Sequence, residues 1–246
     1  MADLQVRPMG AEPRTLEEDL EQFAACFRDN GDPKDLRHLR WQYADNPVVR
    51  GAIAAAEAGR ADGITRAGGV FTDFAVATNG VERLGAIYAT FPVEMQVGPH
   101  RVVGVQSLDT LTDQHHRGQG LFTKLASAVY QRCRQSGVAL VYGFPNASSA
   151  PGFFGKLGWT RLDPVPFLIL PLRSRYFLRQ AGLKSRRALK LVPDRLPRRH
   201  RPPMAAADEE VTVALALDPA VDGLWEVFAD HVRTAVVRDR RYLGGA

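Results

Sequence analysis

The sequence of 246 residues is poor in cysteine, with only Cys26 and Cys133. Both fall in helical patterns and neither has metal-ligand spacing. A disulfide framework and a cysteine metal site are thereby excluded, and buried free thiols in a reducing compartment are expected. No apolar run approaches the roughly 18 residues a membrane span requires. The opening stretch, MADLQVRPMGAEPRTLEEDLEQF, lacks the basic-then-apolar order of a secretory signal. These absences together predict a cytoplasmic protein without membrane association. Histidines are few, and the adjacent pair His115 and His116 is a poor metal clamp because neighbouring side chains point apart. No metal is expected.

What is present is ordinary in bulk: 45% hydrophobic and 24% charged residues, enough for one large domain or a domain plus a fragment. The net charge of +5 is uneven. Eleven of the 32 basic residues and one of the 27 acids, Asp194, lie between Arg173 and Arg201, so the rest of the chain is net acidic. A basic run of this kind serves either as a solvated connector or as an anionic-surface contact. No aromatic interleaving or nucleic-acid motif accompanies it, so the connector is the preferred reading.

Leu4 to Arg7 alternate as a short strand. Thr15-Leu16-Glu17-Glu18 has the form of a capping box, followed by Leu20, Phe23, Ala24 and Phe27 at helical spacing. Asp32-Pro33 predicts the start of a second helix that ends near Trp41-Gln42-Tyr43. Residues 51–68, rich in Ala and Gly, predict a loop or frayed strand. Phe71 to Ala77, Arg83 to Val97 and Arg101 to Thr112 are three strand-like runs. Asn79-Gly80 and Gly98-Pro99 are the turns between them, predicting an antiparallel meander. Leu121, Phe122, Leu125, Ala126, Val129, Tyr130 and Cys133 then form one helical stripe, closed by Gly137. Val138 to Phe144 predicts a strand, Ala150 to Leu157 a short helix and Phe167 to Leu172 a last strand. Val211 to Leu217 and Leu224, Val227, Phe228, His231 and Val232 suggest a further strand and helix.

The tail echoes the start. Leu20, Phe23, Asp35 and Leu39 match Leu224, Val227, Asp239 and Leu243 at a constant offset. Two readings stand: a second domain of the same type of which only the opening elements are present, or coincidence between amphipathic helices. The expected organisation is a domain over 1–172, a basic Arg/Pro-rich linker over 173–207 and a partial second lobe over 208–246.

Chemistry concentrates at His115-His116-Arg117-Gly118-Gln119-Gly120. A strand that ends in a glycine turn and feeds a helix makes an anion site. The first helical N–H groups have no internal acceptor, the helix dipole adds positive charge, and glycines let an anion approach the backbone. Arg117 and Lys124 stand ready to add charge. Asn146-Ala-Ser-Ser-Ala150 followed by Phe154-Gly-Lys156-Leu-Gly158-Trp159 forms a second marked segment.

Together with the element order, these two segments resemble the GNAT N-acetyltransferase superfamily over about residues 3–172. The first is similar to its Gln/Arg-x-x-Gly-x-Gly/Ala signature, with His115 at the first position. The second is similar to its Asn-x-x-Ala…Tyr-x-Lys-x-Gly-Phe pattern. Trp41-Gln-Tyr-x-x-Asn46-Pro47, Tyr142-Gly-Phe-Pro-Asn146 and Arg238-Asp-x-x-Tyr-Leu243 further resemble a subgroup with two tandem lobes, the second truncated here. The resemblance implies a mixed α/β fold with a central, mostly antiparallel sheet flanked by helices. It implies transfer of an acetyl or other acyl group from acetyl-CoA to a primary amine of a small molecule or amino sugar. The pyrophosphate would lie on His115, Arg117, Gly118, Gln119, Gly120 and Leu121, and the pantetheine arm on Asn146. The acyl group would lie near Leu111 and Thr112, whose backbone N–H groups are candidate oxyanion donors.

Asp109 is the acid late on its strand and the candidate general base, with a structural carboxylate as the alternative. Glu94 is a second candidate base. The family's proton-donating Tyr falls on Phe154, which cannot donate, and Tyr142 is the candidate substitute. The mismatch favours, as an alternative, a non-catalytic acyl-CoA-binding or regulatory domain. A peptidoglycan-type or aminoacyl transferase is a third reading. A homodimer or a docking partner at the C-terminal segment is also expected.

Overall fold

Local sequence chemistry sets each element. The computed structural model describes residues 4–11, 14–58, 72–78, 82–163 and 217–244. Strand β1 spans Leu4–Pro8. Helix α1, Leu16–Asp29, opens with the full capping box: the Thr15 hydroxyl accepts from the Glu18 N–H, and the Glu18 carboxylate accepts from the Thr15 N–H. Helix α2, Leu36–Tyr43, begins later than Asp32-Pro33 suggests, because the Asp35 carboxylate takes the Arg37 N–H at 2.7 Å and is the cap. Helix α3, Pro47–Glu57, replaces the loop expected from residue 51 onward. Pro47 stands at its first position and the Asn46 side chain accepts the Val48 N–H at 2.8 Å, a start signal that the Ala/Gly composition obscures. Residues 59–68 of that expectation lie outside the described residues.

Strands β2 (Asp73–Thr78), β3 (Glu82–Val97) and β4 (His100–Thr112) form the antiparallel meander. After a 3₁₀ turn at Gln114–His116, helix α4 spans Leu121–Gln135 and ends at Gly137, which has φ of +81°. Strand β5, Leu140–Gly143, is shorter than predicted and parallel to β4. Helix α5, Ala150–Lys156, follows. The tail contributes α6 (Ala220–Ala229), a strand β6 (Thr234–Val236) that sequence reading missed, and α7 (Arg240–Gly244). The strand expected over 167–172, the linker over 173–207 and most of the strand over 211–217 lie outside the described residues. So do the turn residues Asn79 and Gly80.

The sheet order is β1-β2-β3-β4-β5, and β6 pairs with β3 at Met95, Gln96 and Val97, beyond the stretch of β3 that β2 occupies. Only the β4–β5 pair is parallel. One compact unit takes in residues 1–160 and 216–246; residues 161–215 form a second, of which only 161–163 are described. Helix α4 covers one face of the sheet, packing Leu121, Leu125, Ala126 and Val129 on Tyr88, Val105 and Phe153. Helices α1 and α2 cover the other, packing Leu20, Phe23, Phe27, Leu39 and Tyr43 on Phe74, Val76 and Ile87. Each fully buried large side chain contributes about 1.5–3 kcal/mol. The result is a mixed α/β fold with a mostly antiparallel open sheet flanked by helices. Among the described residues, no helix is long and apolar enough to cross a membrane.

Candidate active site

The glycine turn follows directly from the end of β4. Asp113 caps the 3₁₀ turn by accepting the His115 N–H at 2.9 Å. Asn30, at the C-terminal end of α1, holds it from outside: its Nδ2 donates to Asp113 Oδ2 at 3.0 Å and its Oδ1 accepts the Gln114 N–H at 3.3 Å. Partial burial opposes the Asp113 charge. The His115 amide, Asn30 and the nearby histidines outweigh that and hold its carboxyl below the usual range. His116 packs its ring against the face of Gly85, whereas His115 and Gln119 are exposed. The side chain of Arg117 reaches the Thr112 carbonyl at 3.5 Å.

Gly118 and Gly120 have φ of +79° and +70°, the left-handed region that disfavours any side chain. Space beside both is open, with no heavy atom within 4 Å of where a Cβ would be. Gly120 is the N-cap of α4 and supplies no side-chain acceptor. The first N–H groups of a fifteen-residue helix therefore face outward behind two glycines, the arrangement that favours an anion.

Next to this turn the sheet opens. Pairing between β4 and β5 runs from Gly104 opposite Leu140 to Ser107 opposite Gly143 and stops there, while β4 continues to Thr112. A Cβ at Gly143 would lie 3.0 Å from the Ser107 carbonyl and 3.2 Å from the Trp159 ring, so glycine is what allows this last pair. Beyond it β4 bulges. Ala89 faces Leu108 and Ile87 faces Leu111, so Tyr88 alone opposes Asp109 and Thr110. Asp109 takes up the bulge at φ of +47°, the one non-glycine with positive φ among the described residues. Past the bulge the Asp113 N–H bonds the Gly85 carbonyl. By alternation the Leu111 amide faces β3 and the Thr112 amide faces away from it, toward the opening.

A cleft of about 230 Å³ lies here, lined among others by Phe27, Asp32, Lys34, Asp109, Asn146 and Trp159. Asn146 accepts the Ser148 and Ser149 N–H groups at 3.0 and 2.9 Å and so shapes the entry to α5. Asp109 is firmly held. Tyr43 donates to its Oδ2 at 3.1 Å, Gln42 Nε2 lies 3.4 Å from the same oxygen, and Lys34 Nζ pairs with its Oδ1 at 3.1 Å. Partial burial lowers the Lys34 pKa, but Asp109 and Asp32 outweigh it and raise it above normal. Tyr43 is fully buried, and burial together with the Asp109 charge keeps it protonated.

Ser107 lines the cleft and starts a buried hydroxyl chain. It donates to Tyr88 at 2.9 Å; Tyr88 and Tyr130 hydroxyls are 2.6 Å apart; Trp159 Nε1 donates to Tyr130 at 2.9 Å. Burial raises the pKa of both tyrosines. The chain ties β3, β4, α4 and the segment after α5 together behind the opening.

The structure thus brings Asp109 and Asn146 to one cleft, with the turn of residues 115–121 following the β4 strand that forms its wall. Tyr142 does not line that cleft. Its hydroxyl donates to Gln106 Oε1 at 3.2 Å in an apolar cluster with Tyr242, and burial pushes it up to about 12. Phe153, rather than Phe154, lines the cleft. Glu94 is ion-paired with Arg101 at 3.2 Å and Arg241 at 2.7 Å and lines a different, more apolar cavity beside Trp41, Phe91 and Tyr242. Asn30, Lys34 and the Ser107 chain escaped the sequence reading, and Asp32 was read only as a helix start. Nothing local in the sequence links Asn30 to Asp113, 83 positions away. Among the described residues no group of His, Cys, Asp or Glu could hold a metal.

The acetyltransferase (GNAT) domain family matches residues 7–162, more than half of the chain. No curated protein matches it in sequence. Among solved structures it is similar to a Trypanosoma brucei acetyltransferase, at 18% identity and a TM-score of 0.45, covering 68% of this chain and 100% of that one. It is also similar to an aminoglycoside acetyltransferase from an uncultured soil metagenomic sample, solved with trehalose, at 15% identity and a TM-score of 0.44, covering 70% and 96%. A third is the ribosomal-protein-alanine N-acetyltransferase of Brucella melitensis, at 11% identity and a TM-score of 0.42, covering 69% and 98%. With the family match spanning strands β2 to β5, the glycine turn and the cleft, the chain belongs to the GNAT acetyltransferase family.

Proposed function

We propose that this protein transfers an acetyl group from acetyl-CoA to a primary amine of a small molecule. The observation that carries the reading is the open N-terminus of α4 behind Gly118 and Gly120, following the strand that borders the β4–β5 opening. The amides of Gly118 to Leu121 would hold the pyrophosphate, with Arg117 adding charge. His115 and Gln119 flank it at the surface. The pantetheine arm would run into the opening past Asn146.

In such a site the amine nitrogen forms a bond to the thioester carbonyl carbon, the carbon–sulfur bond breaks, and CoA leaves as its thiolate. The outward-facing Thr112 amide suits the developing oxyanion better than the Leu111 amide does. Asp109 is the carboxylate that would receive the ammonium proton, directly or through water, and Tyr43 and Gln42 fix its orientation. Tyr142 has no part in this scheme, since its hydroxyl is engaged by Gln106 outside the cleft. A CoA thiolate leaves readily enough to be protonated from solvent.

A second reading has one observation in its favour. Neither Phe154 nor Tyr142 offers a hydroxyl to the cleft, which suits a domain that binds acyl-CoA without turnover. Acetyl-CoA titration followed by thiol detection of released CoA, with a panel of ethanolamine, 1,5-diaminopentane and glucosamine, separates the two. Binding with amine-dependent CoA release supports transfer; binding with no release from any amine supports the binding-only domain.

A further inference from the structure

The mouth of the cleft contains a complete ammonium-binding cage, and its occupant is a residue of the chain itself. Lys34 Nζ sits 3.1 Å from Asp109 Oδ1, 3.3 Å from Asp32 Oδ2 and 5.0 Å from the centre of the Phe27 ring. Two carboxylates and an aromatic face are the groups that recognise an organic ammonium ion. All four residues line the cleft. We propose that Lys34 is a built-in competitor for the acceptor, occupying the site that a substrate ammonium group takes when it displaces the lysine. The proposal rests on the amine-transfer reading and deepens it: the acceptor is a cationic amine, and Lys34 sets how tightly it binds.

Three observations favour an exchangeable occupant over a fixed structural pair. Asp109 does not depend on Lys34 for its place, because Tyr43 and Gln42 hold its Oδ2 and the bulge fixes its backbone. The Asp32 side chain is 66% exposed, so one wall of the cage opens to solvent and Lys34 has a route out. The Thr110 hydroxyl oxygen, on a residue of the same lining, is buried and has no partner among the described residues. Exchange conserves charge: one ammonium leaves the pair of carboxylates and another enters. The lysine, on a flexible four-carbon stem, regains full hydration outside.

A partly exposed ion pair of this kind favours the occupied state by roughly fivefold, and an acceptor's apparent affinity is reduced by the fraction of sites already filled. Removing the internal ammonium therefore strengthens cation binding about fivefold. The test uses the full chain and 1,5-diaminopentane as probe, with 1,5-pentanediol as the neutral control. Calorimetric titration of Lys34→Met should give a dissociation constant about fivefold lower than wild type, and the KM for the diamine should fall in parallel. Lys34→Arg, which keeps the charge, should behave as wild type, and the diol should bind neither protein. Lys34→Gln serves if the Met variant loses its cooperative melting transition. An unchanged or weaker diamine affinity in the folded neutral variants overturns the proposal, as does diamine binding to neither protein. Acetyl-CoA titrated separately tells the two readings apart: failure of that titration removes the transferase reading, while the diamine titration still decides the fate of the cage.

Discussion

Asn30→Ala should weaken both the fold and the proposed CoA site through one side chain. Asn30 Nδ2 donates to the Cys26 carbonyl at 2.9 Å, which satisfies an orphan group at the end of α1, and to Asp113 Oδ2 at 3.0 Å. Its Oδ1 takes the Gln114 N–H at a long 3.3 Å. The first bond is worth about 1 kcal/mol net, the charge-assisted second about 1.5, and the third about 0.5 or less. The loss is about 2.5–3 kcal/mol, or a fall in Tm of about 5–10 °C for a domain of this size. The turn before Gly118 then loses its only side-chain tether from α1 among the described residues, so acetyl-CoA affinity should fall about tenfold. Asn30→Asp is the sharper control, since it sets a carboxylate against Asp113 and should cost at least as much at neutral pH, with partial recovery as the pH falls. Thermal melting and acetyl-CoA calorimetry on the same samples measure both effects. An alanine variant with wild-type Tm and wild-type affinity refutes the tether.

Leu125 is fully buried between α4 and the sheet, so Leu125→Ala should cost about 3–5 kcal/mol in urea unfolding through the cavity it leaves. Asp19 is fully buried and accepts two bonds from Arg7 at 2.7 and 2.6 Å and one from the Gly10 N–H at 2.7 Å. Asp19→Ala should therefore destabilise by about 3 kcal/mol, whereas Arg40→Ala, which removes an exposed pair with Glu17, should change stability by less than about 1 kcal/mol. Burial pushes the Cys26 and Cys133 thiols up to about 12. Neither should react with a disulfide reagent at pH 8 until the protein unfolds. The sign of the linked effect follows: the folded state keeps these protons when the unfolded state has lost them, so their contribution to stability is complete below about 9 and declines as pH rises toward 12. The Asp113 carboxyl is lowered instead, so its contribution is present at neutral pH and disappears on acidification.

What could be read from the chain was local. The Thr15–Glu18 capping box, the α4 stripe and the glycines at 118 and 120 each act within a few residues, and each has the predicted geometry. The start of α2 was misplaced because two aspartates compete for it. Asp32 faces the cleft, and Asp35 three residues later caps the helix. Helix α3 was hidden by Ala and Gly, which carry little periodic signal. The surroundings of the cleft were beyond sequence reading for another reason. Asp109 meets Lys34 and Tyr43 across 75 and 66 positions, and the bulge that turns it is a register slip no local pattern specifies. Tyr142 illustrates the same limit. A period of two places it on a strand face, but only the fold shows Gln106 on its hydroxyl.

In the proposed mode of binding, the backbone between Gly118 and Leu121 receives the pyrophosphate of acetyl-CoA. A Cβ at either glycine meets no protein atom within 4 Å, so its bulk would intrude only on a bound ligand, although the positive φ adds strain of about 1 kcal/mol at each position. Calorimetric titration of acetyl-CoA into the wild type and into the Gly118→Ala/Gly120→Ala double variant, with melting curves to establish that both are folded, tests it directly. Saturable binding by the wild type and a loss of at least a hundredfold in the folded double variant are expected. Equal affinity in the two proteins would contradict it.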